Sequence, residues 1–245
     1  MSVAITFSTS GRVARQLRHD RRTVALLVVV PALLLALLYF MYEDSAATFD
    51  RIALIMLGIF PFVIMFLVTS IAMLRERTSG TLERLLTTPL GKVDLLFGYG
   101  IAFSVAAAVQ GAVATGVTYW LLGLDTMGSP ALVVLIAVVN AVLGVALGLL
   151  CSAFARTEFQ AVQFLPVVVV PQILLCGLFV PREQMAGWLQ AIADVLPLTY
   201  AVDALIEVGR SAEPTSTMWR DLIIVAGAAV VALVLAAATL RRRTP

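Results

Sequence analysis

IALIMLGIFPFVIMFLVTSIAMLRERTSGTLERLLTTPL, residues Ile52 to Leu90, joins the two kinds of segment from which this chain is built. Its first part, Ile52 to Met73, runs for 22 residues without a charge. At about 1.5 Å of rise per residue, a helix of that length crosses a hydrocarbon core about 30 Å thick. Its second part, Leu74 to Leu90, packs charges, threonines and leucines between two apolar runs. The first part predicts a membrane helix, and the second predicts a loop with a task.

Five more apolar runs of similar length follow the same logic: Thr23 to Tyr42, Leu95 to Leu122, Ala131 to Ala155, Val162 to Phe179 and Leu222 to Leu240. With 245 residues, 61% hydrophobic and 13% charged, the chain lacks the polar side chains to cover a water-soluble globule. The reading is an all-α polytopic membrane protein with six transmembrane helices, residues 1–245 forming a single membrane domain. Little length is left for soluble chemistry.

Six spans put both termini on one side. If that side is the cytoplasm, the inner segments hold 13 of the 17 basic residues, and only Arg51, Arg182, Arg210 and Arg220 face out. The positive-inside rule favours this orientation, with both termini cytoplasmic. The first run is too long for the apolar core of a cleaved signal peptide, so it is read as the first span. Before it, Arg12, Arg15, Arg18 and Arg22 fall near one helical face, with Phe7, Val13 and Leu17 elsewhere. A helix at the membrane interface and a disordered basic arm both fit this pattern.

What the spans lack restricts function. They contain no Asp, Glu, Lys, Arg or His, so no proton relay is built into them. Their polar residues are neutral. Gln110, Asn140, Gln163 and Gln172 could line a pathway, or bond across helices. No GxxxxGK[ST] phosphate loop is present, and neither GxSxG nor HExxH occurs, so neither an ATPase nor a hydrolase is expected in this chain. One histidine and two cysteines, Cys151 and Cys176, placed near opposite ends of their spans, predict neither a metal site nor a disulfide. Small residues recur four apart, at Gly111 and Thr115 and at Gly144 and Gly148, which lets helices approach closely. Pro61, Pro166 and Pro171 predict kinks.

Between the last two spans, Met185, Trp188, Leu189, Ile192, Ala193 and Leu196 recur at helical spacing between Pro181 and Pro197. A second helical segment, Thr199 to Val208, follows and includes Tyr200. The segment is too short to span and too apolar for water. It is read as an external re-entrant hairpin, with an interfacial cap as the alternative.

In the inner loop, Thr81 can cap a short helix whose Leu82, Leu85 and Leu86 form one apolar stripe, while Glu83 and Arg84 point elsewhere; Pro89 stops it at Thr88. Such a helix is marginal alone. It either docks in a partner's groove or rests on lipid head groups.

LRERTSGTLERLLTTPLGKVDLLFGYG resembles the segment after the second span in permease subunits of ABC-2 type exporters, the group that includes daunorubicin exporter permeases. LLCGLFVPREQMAGWLQAIADVLPLTYAVDAL resembles the same family's pattern between its fifth and sixth spans. The resemblance implies a permease working as a dimer, with a second copy or a sister chain, and with two copies of a cytoplasmic ATPase that binds ATP and Mg. It implies that Thr81 to Thr88 is the coupling helix, with Glu76, Arg77, Glu83 and Arg84 as polar contacts to the ATPase. It also implies that Pro181 to Asp203 is the external gate and Arg12 to Arg22 the interfacial helix. An uncharged interior suits a hydrophobic drug or lipid-like cargo, and the lack of carbohydrate-binding aromatics near the inner side leans away from polysaccharide. No nucleic-acid partner is expected. A single lysine amid abundant Ala, Val, Arg and Leu points to a bacterial source, hence a bacterial inner membrane.

Overall fold

In hydrocarbon every backbone N–H and C=O must be paired within the segment, so long apolar runs become helices. The computed structural model describes residues 3–78 and 92–239, and no strand occurs among them. The elements are α1 (Val3–His19), α2 (Arg21–Met41), α3 (Ala46–Thr78), α4 (Lys92–Trp120), α5 (Pro130–Ser152), α6 (Glu158–Leu175), α7 (Gly187–Ala193), α8 (Pro197–Arg210) and α9 (Ser216–Thr239). Six of them, α2 to α6 and α9, are long and apolar enough to cross a membrane.

Local signals set several starts. Asp20 caps α2 by accepting the Thr23 N–H at 3.2 Å, and Ser129 caps α5 just ahead of Pro130. Thr157 caps α6 by accepting the Gln160 N–H at 3.2 Å, while the Gln160 amide oxygen accepts the Arg156 N–H at 2.8 Å. That reciprocal pair is a variant of the capping box.

At the centre α3 packs on α5. A side chain at Gly144 would run into the Phe62 carbonyl, and one at Gly148 would come within 2.6 Å of the Phe66 carbonyl. The small residues therefore set the backbone-to-backbone seam, as their spacing predicts. Phe62, Phe66, Leu143 and Ala146 fill the apolar space beside it, together with Ala201 and Val202 of α8 and Val225 of α9. Helix α3 runs unbroken through Pro61. In α6 the expected disturbance takes the form of a π turn, Leu165–Val169, which contains Pro166.

Several spans differ from their sequence limits. The second and sixth are longer, at Ala46–Thr78 and Ser216–Thr239, because helix continues past the apolar run. The fifth ends at Leu175, short of Phe179, since Gly177 takes the left-handed φ of 92° that stops a helix.

The N-terminal segment is a helix. Thr6, Thr9, Ser10 and Val13 are buried and Leu17 packs partly against the same core, whereas Phe7 is exposed. These small residues at i, i+3, i+4 and i+7 let α1 lie against Gly98 at the start of α4, with Thr9 2.8 Å from where a β-carbon would stand. Arg15 and Arg18 face outward.

Candidate functional site

The end of the bundle nearest α1, here the basic end, is organised by the last turn of α3. Successive helical residues project about 100° apart, so Arg75, Glu76 and Arg77 reach three directions. Arg75 forms a two-pronged pair with Glu158 at the start of α6, Nε donating to Oε1 at 2.7 Å and Nη2 to Oε2 at 3.0 Å. Glu76 accepts from Arg12 of α1 at 3.4 Å. Arg12 also donates to the Tyr99 hydroxyl of α4 at 3.2 Å and lies 5.9 Å from the centre of that ring. Arg77 donates to the Ser152 carbonyl at the end of α5. Three consecutive side chains thus tie α3 to α1, α5 and α6, and through Arg12 to α4.

Glu76 and Arg77 were expected to meet an ATPase, and both are engaged within this chain. Thr81, Leu82, Glu83, Arg84, Leu85 and Leu86 lie outside the described residues. The partners Arg12, Tyr99, Ser152 and Glu158 were missed by sequence reasoning, because they lie between 64 and 87 positions from α3's last turn or from each other. The sole local hint is a glutamate between two arginines at the end of an apolar helix.

At the opposite end, a short 3₁₀ turn (Arg182–Gln184), α7 and α8 follow one another between the last two spans. Pro181 starts the turn, and the Gln190 side chain donates to the Met185 carbonyl at 2.9 Å. The stripe foreseen along this segment is split: Ala193 is buried and Met185 and Leu189 half-buried, while Trp188 and Ile192 are exposed. Helix α8 begins at Pro197 and buries Leu198, Ala201, Val202, Leu205 and Val208. Its Leu205 sits against Gly58 and its Gly209 against Leu54, so α8 runs antiparallel along the upper half of α3. The Tyr200 hydroxyl donates to the Asp194 carbonyl at 2.7 Å, fastening α8 to α7.

Arg182 pairs with both helices, 3.4 Å from Asp194 at the end of α7 and 3.2 Å from Asp203 in α8. Burial pushes the Asp203 carboxyl up to about 6, against the opposing pull of Arg182. Gly128 of the α4–α5 loop donates to the Val208 carbonyl at 2.9 Å, which anchors the outer end of α8.

The four neutral polar residues do not meet. Asn140 is buried and donates to the Gly58 carbonyl at 2.8 Å, bridging α5 to α3. Gln172 donates to the Val168 carbonyl at 3.0 Å and accepts the Leu198 N–H at 3.4 Å, joining α6 to α8. Gln110 is buried in α4 with neither end of its amide hydrogen-bonded. Gln163 is exposed on α6. Asn140 and Gln172 thus make the interhelical bonds that were the alternative to lining a pathway.

A family model described as ABC-2 type transporter matches residues 5–208, which takes in the α3 turn, α7 and nearly all of α8. This chain belongs to the ABC-2 type transporter family. Its relatives include a probable multidrug ABC transporter permease of Escherichia coli, 30% identical over 64% of this chain and 42% of the relative. A linearmycin resistance permease of Bacillus subtilis is 29% identical over 55% of this chain and 35% of its own length. An ABC transporter G family member of Dictyostelium discoideum is 25% identical over 75% of this ABC-2 chain and 26% of the relative. The matches therefore span less than half of each relative. Membership gives this chain the role of a membrane component of an ABC-2 type transporter. Its polar clusters at the α3 turn join separate helices of the bundle.

Proposed function

We propose that this chain is the permease of an ATP-driven exporter that moves a hydrophobic drug or lipid-like molecule out of the cytoplasm or inner leaflet of a bacterial inner membrane. The single observation that carries the reading is the last turn of α3. Directly before Thr81 to Thr88, three successive residues grip three other helices, and a fourth through Arg12, so a push on that segment is delivered to most of the bundle at once. A partner ATPase, binding ATP and Mg in two copies, supplies the push through Leu82, Leu85 and Leu86, with Thr81, Glu83 and Arg84 around them.

The basic residues gathered at the α1 end support a cytoplasmic placement of both termini. The long outward apolar faces of α2 and α6 support pairing with a second copy or a sister permease. The course of α8 along the upper half of α3 supports a hairpin that dips into the outer leaflet and closes the pathway. The relatives' multidrug and linearmycin names support a drug-like cargo.

The test is co-expression with a candidate ATPase. Wild type is expected to co-purify with it in detergent, and Leu85→Asp with Leu86→Asp to lose it. Vesicles holding the complex should accumulate an apolar dye only with ATP. Binding untouched by the two aspartates overturns the coupling role, and uptake without ATP makes the chain an energy-independent channel-like subunit.

A further inference from the structure

The tie between α1 and α3 leaves a cavity of about 650 Å³ beside it, at the basic end, between α1, the start of α2, the end of α3 and the start of α4. That volume lies within the roughly 300–1,000 Å³ typical of small-molecule sites. Its polarity is graded. Asp20, Arg75 and Glu76 stand at one end, and Val68, Ala72 and Phe103 at the other. Val68 precedes Thr78 by ten helical residues, so the cavity runs about 15 Å along α3 from the charged end toward the bundle's middle. Phe103 lies one turn deeper in α4 than Tyr99, in the same direction. The gradient therefore follows the helix axes, with charge where the membrane meets water and apolar side chains beneath.

A soluble ligand has no reason to match such a gradient, whereas a lipid of the adjoining leaflet is built on it. The charges narrow the head group further. Asp20, Glu76 with its partner Arg12, and Arg75 with its partner Glu158 gather at the charged end, three carboxylates against two guanidiniums, so an anionic lipid would meet net repulsion and a zwitterion would meet partners for both its charges. A phosphate suits the guanidinium of Arg75, whose planar fork of N–H groups can donate to two phosphate oxygens at once. A primary ammonium suits Asp20 and Glu76, because it donates hydrogen bonds that a quaternary ammonium cannot.

We propose that this cavity holds one amino-phospholipid of the leaflet at the basic end, its phosphate at Arg75, its ammonium at Asp20 and Glu76, and an acyl chain along Val68, Ala72 and Phe103. The lipid fills the seam between α1 and α3 and makes the N-terminal helix part of the membrane bundle. The proposal rests on the membrane placement of these helices and not on ATP-driven export, so it is read on the chain without any ATPase.

The experiment is native mass spectrometry of the full chain, delipidated in mild detergent and then offered nanodiscs containing phosphatidylethanolamine, phosphatidylcholine or phosphatidylglycerol. One phosphatidylethanolamine per chain is expected, retained about tenfold better than either of the others, a difference of about 1.4 kcal/mol. Asp20→Asn keeps a good helix cap while removing the charge, and should cut that preference to about threefold or less. Ala72→Phe blocks the apolar end and should abolish retention. Equal retention of all three lipids, a preference unchanged in both variants, or no retained lipid in the wild type would each overturn the proposal. The last two outcomes mean, respectively, a lipid held elsewhere and a cavity closed by the protein itself.

Discussion

Helices α2 and α5 have the same mean hydropathy over their membrane-crossing stretches, yet 17% of that stretch is buried within the chain in α2 and 61% in α5. In water, apolar character drives a helix inside; in lipid the surroundings are as apolar as the interior, and something else must choose. The choice falls to small residues and interhelical bonds. Helix α5 offers Gly144, Gly148 and Asn140 to α3, and the two backbones meet. Helix α2 offers Leu26, Val29, Leu33 and Leu37 outward, all exposed. Burial in this bundle is earned by close approach, not by greasiness.

The largest test of that contrast is Gly144→Val. With the Phe62 carbonyl in the way, the seam must open, at a cost of about 3 kcal/mol or loss of the folded state. Thermal melting in detergent should show it; an unchanged midpoint would break the contrast.

Asn140→Leu is expected to cost about 1 kcal/mol in the same assay by removing the bond to Gly58, in line with the modest worth of such bonds in membranes. Gln110→Leu should run the other way, stabilising by about 1 kcal/mol, since it removes a buried amide with no partner.

Asp203 supplies a pH test in α8. Its folded carboxyl titrates near 6, above the unfolded value of about 3.9, so the folded state holds the extra proton between these pH values. Stability from this group is therefore present at low pH and lost as pH rises through about 6. Allowing for screening of a side chain one-third exposed, the swing is on the order of 1 kcal/mol. Wild type should melt higher at pH 5 than at pH 7 by more than Asp203→Asn does. Arg182, Glu183, Arg220 and Asp221 face the same group and set the remaining slope.

The smallest effect belongs to α2. Leu33→Ala should move the melting midpoint of a single chain by no more than about 0.5 kcal/mol. If the same change weakens self-association on a sizing column, the exposed face of α2 is where a second permease sits, and the comparison sharpens from inside against outside to one chain against two.

All six spans were legible because run length alone reports a membrane helix. Their ends were not, because helix persists into water: α3 begins at Ala46, six residues before the apolar run. The Gly144 and Gly148 seam was legible from spacing, but its partners Phe62 and Phe66 were not, since nothing local marks them. Glu76 and Arg77 stood out as charges at a span's end. Their engagement with Arg12 and Ser152 depends on tertiary geometry that no short-range pattern encodes. For α1 the helix was one of two open readings, and its packing side was not legible: alongside Val13 it is largely threonine and serine, whose small size matters more than their polarity against Gly98.

The π turn at Leu165–Val169 can be restated as a matter of phase. Such a turn carries one residue more than the α-helix around it, so the residues after it are rotated by about 100° from where an uninterrupted α6 would place them. Gln172 reaches the Leu198 N–H from that rotated half. Deleting one residue from the turn would leave α6 long enough to cross the bilayer yet swing Gln172 away from α8. Length and orientation are thus set independently here.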